Sequence, residues 1–239
     1  MLNKFYLFLV LLIPFFFLGC TPTPFEQTAI VASTNTPSQP PDFPANTHVF
    51  IRITKTQSLT NQTGILEMFK QGEEGQFSLY KTWEICRYSG ALGPKLREGD
   101  GQSPEGFYFV KPAQMNPNSS YHLSFNLGFP NAYDRAHGRT GSFLMVHGDC
   151  VSIGCYAMTD AGIEEIYGEM EAAYTNGQAF IRVHIFPFPT TAANMKTFKD
   201  NPNTPFWTNL REGWERFEAN QIPPNVKVED LKYVFEPSQ

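Results

Sequence analysis

A chain of 239 residues has room for one sizeable domain with appendages, but not for two full cores. Its 18 basic and 23 acidic residues leave a formal charge of -5, which excludes the basic field that counterion-release binding to nucleic acid requires. Aromatic residues make up 15% of the chain, and 19 prolines and 18 glycines punctuate it, a composition suited to many short strands and turns rather than long helices.

The N-terminus reads Met-Leu-Asn-Lys, then an almost unbroken apolar run from Phe5 to Leu18, then Gly19 and Cys20. One positive charge ahead of a run too short to cross a bilayer comfortably is the pattern of an export signal, so residues 1–19 are expected to be a signal peptide outside the fold. Phe17-Leu18-Gly19-Cys20 resembles a bacterial lipobox, in which a small residue precedes a cysteine that becomes diacylated, although Phe17 stands where an aliphatic residue is usual. Each buried methylene of an acyl chain contributes about 0.8 kcal/mol, so a lipidated Cys20 would hold the mature chain on a membrane. Thr21 follows, not the Asp associated with retention at the inner membrane, and the expected location is the periplasm with an outer-membrane anchor. Residues 20–46 then run through Thr, Pro, Ser and Asn with few apolar side chains. They are expected to be an extended tether of roughly 3 Å per residue.

Val49, Ile51 and Ile53 alternate with Phe50 and Arg52, which predicts a half-buried strand. Further short strands are expected over residues 64–71, 76–83, 107–110, 121–127, 143–147 and 179–186, each bounded by Gly, Pro or Asn. In the fourth of these, Tyr121, Leu123, Phe125 and Leu127 share one face and leave His122, Ser124 and Asn126 on the other. Thr159-Asp160 can cap a helix whose stripe is Ile163, Ile166, Tyr167, Met170 and Tyr174. Thr204-Pro205 opens a second, through Phe206, Trp207, Leu210, Trp214 and Phe217. The fold class is therefore mainly β with a few α-helices: a folded domain over 47–190 and a helical extension over 191–239 packed on it.

The densest chemistry lies between Val146 and Met158: His147, Gly148, Cys150, Ser152, Gly154 and Cys155. A thiolate is the best side-chain nucleophile near neutral pH, and an imidazole close in space can generate it by taking the thiol proton. Gly154 would let the backbone turn so that nearby amides face a developing oxyanion, and a helix beginning downstream would add partial positive charge.

His147-Gly148 followed by Ser152-Ile153-Gly154-Cys155 resembles the HG…[ST]-x-G-C signature of the YkuD-type L,D-transpeptidase catalytic domain. Leu92-Gly93-Pro94-Lys95, Ser103-Pro104-Glu105-Gly106-Phe107-Tyr108 and Gly138-Arg139-Thr140-Gly141-Ser142 agree with the YafK-like branch of that family, over roughly residues 48–190. The resemblance implies a β-sandwich domain acting in cell wall biogenesis and cell shape without metal or organic cofactor. It makes Cys155 the nucleophile, His147 its base and the backbone around Gly154 and Ser152 the oxyanion donors. Cys155 would attack a meso-diaminopimelate carbonyl of a peptidoglycan stem peptide and form a thioester, resolved by an amine or by water. Two departures stand out: the His-to-Cys interval is only eight residues, and Ala157 occupies the place of an arginine usual two residues after the nucleophile. Both favour the alternative, a hydrolase of the same fold that releases a covalently attached outer-membrane lipoprotein.

With Cys20 lipidated and Cys155 nucleophilic, Cys86 and Cys150 remain; they either pair, as an exported protein permits, or Cys150 simply fills space. A zinc site of His147, Cys150 and Cys155 lacks a fourth ligand. Arg139 is expected to grip a substrate carboxylate with its guanidinium fork, and Gly148 to border the substrate. His122 is read as a surface histidine, and His48, His137 and His184 are given no role. Lys95 and Arg97 are read either as contacts to anionic glycan or as solvated charge.

Overall fold

The computed structural model describes Phe43, residues 47–57 and residues 63–236. The expected signal peptide, Cys20 and all of the expected tether except Phe43 lie outside them. In chain order the elements are β1 (Val49–Thr54), β2 (Ile65–Gln71), β3 (Phe77–Glu84), β4 (Arg87–Tyr88), β5 (Gly106–Val110), a 3-10 turn (Pro112–Gln114), β6 (Met115–Ser119) and β7 (His122–Asn126). There follow α1 (Ala132–Ala136), β8 (Met145–His147), β9 (Tyr156–Ala157), α2 (Asp160–Thr175), β10 (Ile181–Phe186), α3 (Ala192–Thr197), α4 (Thr204–Asn220), β11 (Asn225–Glu229) and β12 (Lys232–Glu236).

The strands form two five-stranded sheets, ordered β3-β2-β1-β10-β5 and β4-β9-β8-β7-β6, and a two-stranded β11-β12 hairpin. One apolar core unites the sheets: Ile51, Ile53 and Leu66 from the first and Phe125, Val146 and Tyr156 from the second pack with Ile163, Ile166 and Met170 of α2. The helix begins where its cap was expected, with Thr159 Oγ1 accepting from the Gly162 amide at 3.1 Å. Pro117 lies in β6, at the edge of its sheet, where a missing N–H donor breaks no ladder.

The expectation of a half-buried β1 is corrected. All six of its residues are buried, because α4 covers the face opposite the main core. Phe50 packs with Phe69, Phe77 and Phe217 on that second face. Arg52 shares it: Nε donates to Glu67 at 2.7 Å, NH1 to Glu218 at 2.5 Å, and the guanidinium lies 4.2 Å from the Trp214 ring. A charged side chain tolerates this burial because both carboxylates and the ring compensate it. The C-terminal region is likewise more than helical, since it ends in the β11-β12 hairpin. Tyr233 and Phe235 of β12 pack with Phe107, Trp207 and Trp214.

His184, on β10, is enclosed in this second aromatic layer, with the Phe50 and Phe107 rings each 4.7 Å from its own. Burial first, then the charges of Arg182 and Arg52, hold its pKa well below the usual histidine value. The unfolded chain therefore binds a proton at this residue that the folded chain refuses, and stability must fall as pH drops below the ordinary histidine range. Replacing His184 with Leu is expected to flatten that acid limb. Urea midpoints at about pH 7.5 and pH 5 measure it, and equal pH slopes in the two proteins would rule His184 out as the cause.

Candidate active site

Cys155 and His147 come to one face of the second sheet because β8 and β9 run side by side in parallel. The register pairs Val146 with Tyr156 and His147 with Ala157, which sets Cys155 beside Met145 and diagonally across from His147. Side chains alternate along a strand, so Val146 and Tyr156 enter the core while His147 and Cys155 share the opposite face. Ser124 of β7 is the cross-strand partner of His147 on that same face. Cys155 is partly buried; its sulfur accepts from the Met145 amide at 3.4 Å and lies 3.7 Å from the Phe143 carbonyl.

His147 is held by its own neighbour. Its Nδ1 lies 2.6 Å from the Gly148 carbonyl, which can only accept, so the proton sits on Nδ1 and the neutral ring presents an unprotonated Nε2. The Tyr121 ring covers the imidazole at 4.7 Å between centroids. The Gly148 carbonyl thus orients the imidazole, and the Gly148 N–H is committed to the Tyr121 and Leu123 carbonyls at 3.0 and 3.3 Å.

The turn before Cys155 is built for one shape. Gly154 has φ +145, a region L side chains avoid, and hydroxyls of Ser152 and Ser103 both donate to the Cys155 carbonyl, at 2.7 and 2.9 Å. Ser152 Oγ also accepts from the Gly154 amide at 3.3 Å, so its side chain braces the turn. Cys150 is bonded to Cys86, joining this loop to the segment between β3 and β4 across a sequence separation of 64. With its sulfur so engaged, Cys150 is not available as a zinc ligand.

Burial raises the pKa of the Cys155 thiol, against the Met145 amide and the Lys95 ammonium. Burial also lowers that of His147, against the Gly148 carbonyl and Asp149. Both shifts favour the neutral thiol and the neutral imidazole. The helix expected to support the thiolate does not reach it. β9 intervenes, and at the start of α2 Asp160 Oδ1 accepts from the Asp149 amide at 2.8 Å.

Arg139 is a second correction. It is 9% exposed, NH1 donates to Asp134 at 2.8 Å, and its guanidinium stacks 5.0 and 4.9 Å from the Tyr133 and Phe206 rings. Asp134 is itself fully buried, so the pair is part of the packing of α1 against α4 rather than a carboxylate receptor. His122 is a surface residue bonded to Glu164 at 2.6 Å. Lys95, read as glycan contact or solvated charge, is not solvated: it is buried and paired with Asp100 at 2.6 Å. Ser103 was visible only as part of a motif, and nothing in the sequence gave its hydroxyl a task.

The profile of the YkuD L,D-transpeptidase catalytic domain matches residues 66–209. "Putative L,D-transpeptidase YafK" of Escherichia coli K12 is 52% identical over 165 residues, 69% of this chain and 66% of that protein, a little under two thirds of its length. Among solved structures, a mutant of the helical cell shape determining protein Pgp2 from Campylobacter jejuni superposes with a TM-score of 0.47 at 20% identity, over 72% of this chain and 56% of that one. Bd1075 of Bdellovibrio bacteriovorus gives 0.39 at 17% identity, over 71% and 58%. The profile match takes in His147, Cys155 and every strand of the sheet that carries them, and the chain belongs to the YkuD family of L,D-transpeptidase catalytic domains.

Proposed function

We propose that this protein is a cysteine acyltransferase acting on meso-diaminopimelate-containing peptidoglycan stem peptides. The observation that carries the reading is the His147 tautomer: Nδ1 is tied to the Gly148 carbonyl, and Nε2 is left as a base on the face it shares with Cys155. Nε2 takes the thiol proton as Sγ adds to the peptide carbonyl, with amides around Gly154 receiving the oxyanion. The tetrahedral adduct expels the leaving amine, to which the imidazolium returns the proton, and a thioester remains. An incoming amine or water then gives its proton to His147, the acyl group leaves the sulfur as a new amide or a free acid, and the imidazolium returns the proton to the departing thiolate.

Ala157 supports a second reading, in which water is the acceptor and an outer-membrane lipoprotein is released from the stem. It is fully buried opposite His147, so no guanidinium at that position holds a peptide acceptor. The export signal and Cys20 complete the proposal with a periplasmic enzyme tethered to the outer membrane by lipid. Incubation with tetrapeptide muropeptides, followed by mass spectrometry, is expected to yield cross-linked or D-alanine-exchanged products. Lipoprotein freed from sacculi without those products would establish the hydrolase, and no covalent change in either substrate would rule out both.

A further inference from the structure

The backbone carbonyl of Cys155 holds two hydroxyl donors, and the chemistry above uses neither hydroxyl. Ser152 reaches the oxygen at 2.7 Å from three residues earlier, within the turn. Ser103 reaches it at 2.9 Å from 52 residues away in the sequence. Closing the turn needs only the first. A carbonyl oxygen has two lone pairs, so the two donors fill it, and the peptide between Cys155 and Tyr156 resists rotation.

Ser103 is itself fully buried and doubly held. Its amide donates to the Ser89 carbonyl at 3.0 Å, and its hydroxyl accepts from the Ser89 amide at 3.1 Å. The residues after it extend the grip. The Pro104 carbonyl accepts from the Tyr156 hydroxyl at 2.7 Å, so this segment holds Cys155 by its backbone and the next residue by its side chain. Glu105 is anchored in turn by the buried Lys55 at 3.0 Å.

This matters because residue 154 is glycine. With no Cβ to restrict it, Gly154 does not by itself fix the peptide that carries the Cys155 N–H, and that direction is set from the far side, by whatever holds the Cys155 carbonyl. The Gly154 amide is committed to Ser152 at 3.3 Å, which leaves the Cys155 amide, on the residue that bears the sulfur, to meet an oxyanion. We propose that Ser103 is a positioning residue for acyl transfer: by locking the Cys155 carbonyl it aims the Cys155 amide at the oxygen that gains charge when the sulfur adds to a carbonyl. The proposal rests on Cys155 being the nucleophile of the proposed function.

The test compares two reagents on the full chain, each followed by mass spectrometry of the peptide that carries Cys155. Iodoacetamide is attacked at a saturated carbon, so iodide leaves and no oxyanion forms. p-Nitrophenyl acetate is attacked at its carbonyl: the sulfur–carbon bond forms through an oxyanion, p-nitrophenolate leaves, and the thiol proton passes through His147 to solvent. Ser103→Ala is expected to slow acetylation about tenfold while alkylation stays within about twofold of native. Native acetylation in folded Ser103→Ala overturns the proposal, as does equal slowing of both reactions, which would mean a displaced sulfur and not a misaimed amide. Should Ser103→Ala fail to fold, Ser103→Cys decides: its thiol fills the site but donates weakly, so acetylation of Cys155 must still slow relative to alkylation, and an unchanged ratio overturns the proposal. A native chain whose Cys155 takes neither reagent overturns it as well. Neither reagent contains a peptidoglycan peptide, so failure of the proposed function would show separately, as muropeptides left unchanged by the native protein.

Discussion

Cys155→Ala is expected to lower turnover of tetrapeptide muropeptides by at least about a thousandfold, to the level that binding and backbone donors sustain alone. His147→Asn should cost a similar factor, since the sulfur rests as a thiol that burial keeps protonated. Groups that act as one unit are not additive, so the double variant should be little worse than either single one. Because His147 lies below the usual histidine range, the acid limb of kcat/KM should fall below that range too, with activity rising toward alkaline pH as the thiol ionises. The Cys86→Ala/Cys150→Ala pair separates chemistry from scaffold. Opening a disulfide across a separation of 64 removes about 2–4 kcal/mol of stability but leaves the reacting atoms in place. If it abolished turnover as fully as Cys155→Ala while the domain stayed folded, the nucleophile would be misassigned.

Residues act at very different ranges in this molecule, and that difference decides what could be read from the sequence. The pairing of His147 with Cys155 on one face was legible because a short strand ends at the first and the next begins just after the second, so the constellation spans only residues 147–155. α2 was legible too, because a cap and a periodic stripe are local signals. The β11-β12 hairpin was not, since its turn is Asp230-Leu231, both at positive φ (46 and 60) without the glycine that usually announces such a turn. Lys95 and Arg139 both differ from their sequence reading for a related reason. A lysine two residues from Arg97 reads as solvent-facing charge until Gly141, far along the chain, is seen to open a slot for its stem. Arg139 reads as a receptor until Asp134 at the start of α1 is seen to have captured it. β1 looked half-buried because its alternation says which residues share a face, not that α4 would return to cover the second one.

Glu105→Ala is expected to destabilise the fold by about 3–5 kcal/mol, the range for stripping one partner from a buried ion pair. Glu105 Oε1 lies 3.0 Å from Lys55 Nζ, and both side chains are 0% exposed. The same carboxylate accepts from the Gly93 amide at 2.7 Å and from Trp207 Nε1 at 2.9 Å, while Lys55 donates to the Gly93 carbonyl at 2.9 Å. One carboxylate thus joins β1, α4 and the loop that leads to Lys95. Its removal leaves an ammonium without its counter-charge and an amide and an indole N–H without their acceptor, and burial already lowers the Lys55 pKa despite the carboxylate. Lys55→Met should be comparably harmful, because the carboxylate is then the unpaired charge. Glu105→Ala combined with Lys55→Met should fall short of the sum of the two, since no naked charge remains and only the dipolar donors are orphaned. Guanidinium midpoints for the four proteins measure this, and a Glu105→Ala loss under about 1 kcal/mol would mean that water reaches the pair. The milder Glu105→Gln keeps an acceptor for Gly93 or Trp207 but gives up the charge, so the loop should loosen before the fold does. Turnover is then expected to drop at temperatures where the far-ultraviolet spectrum is still native.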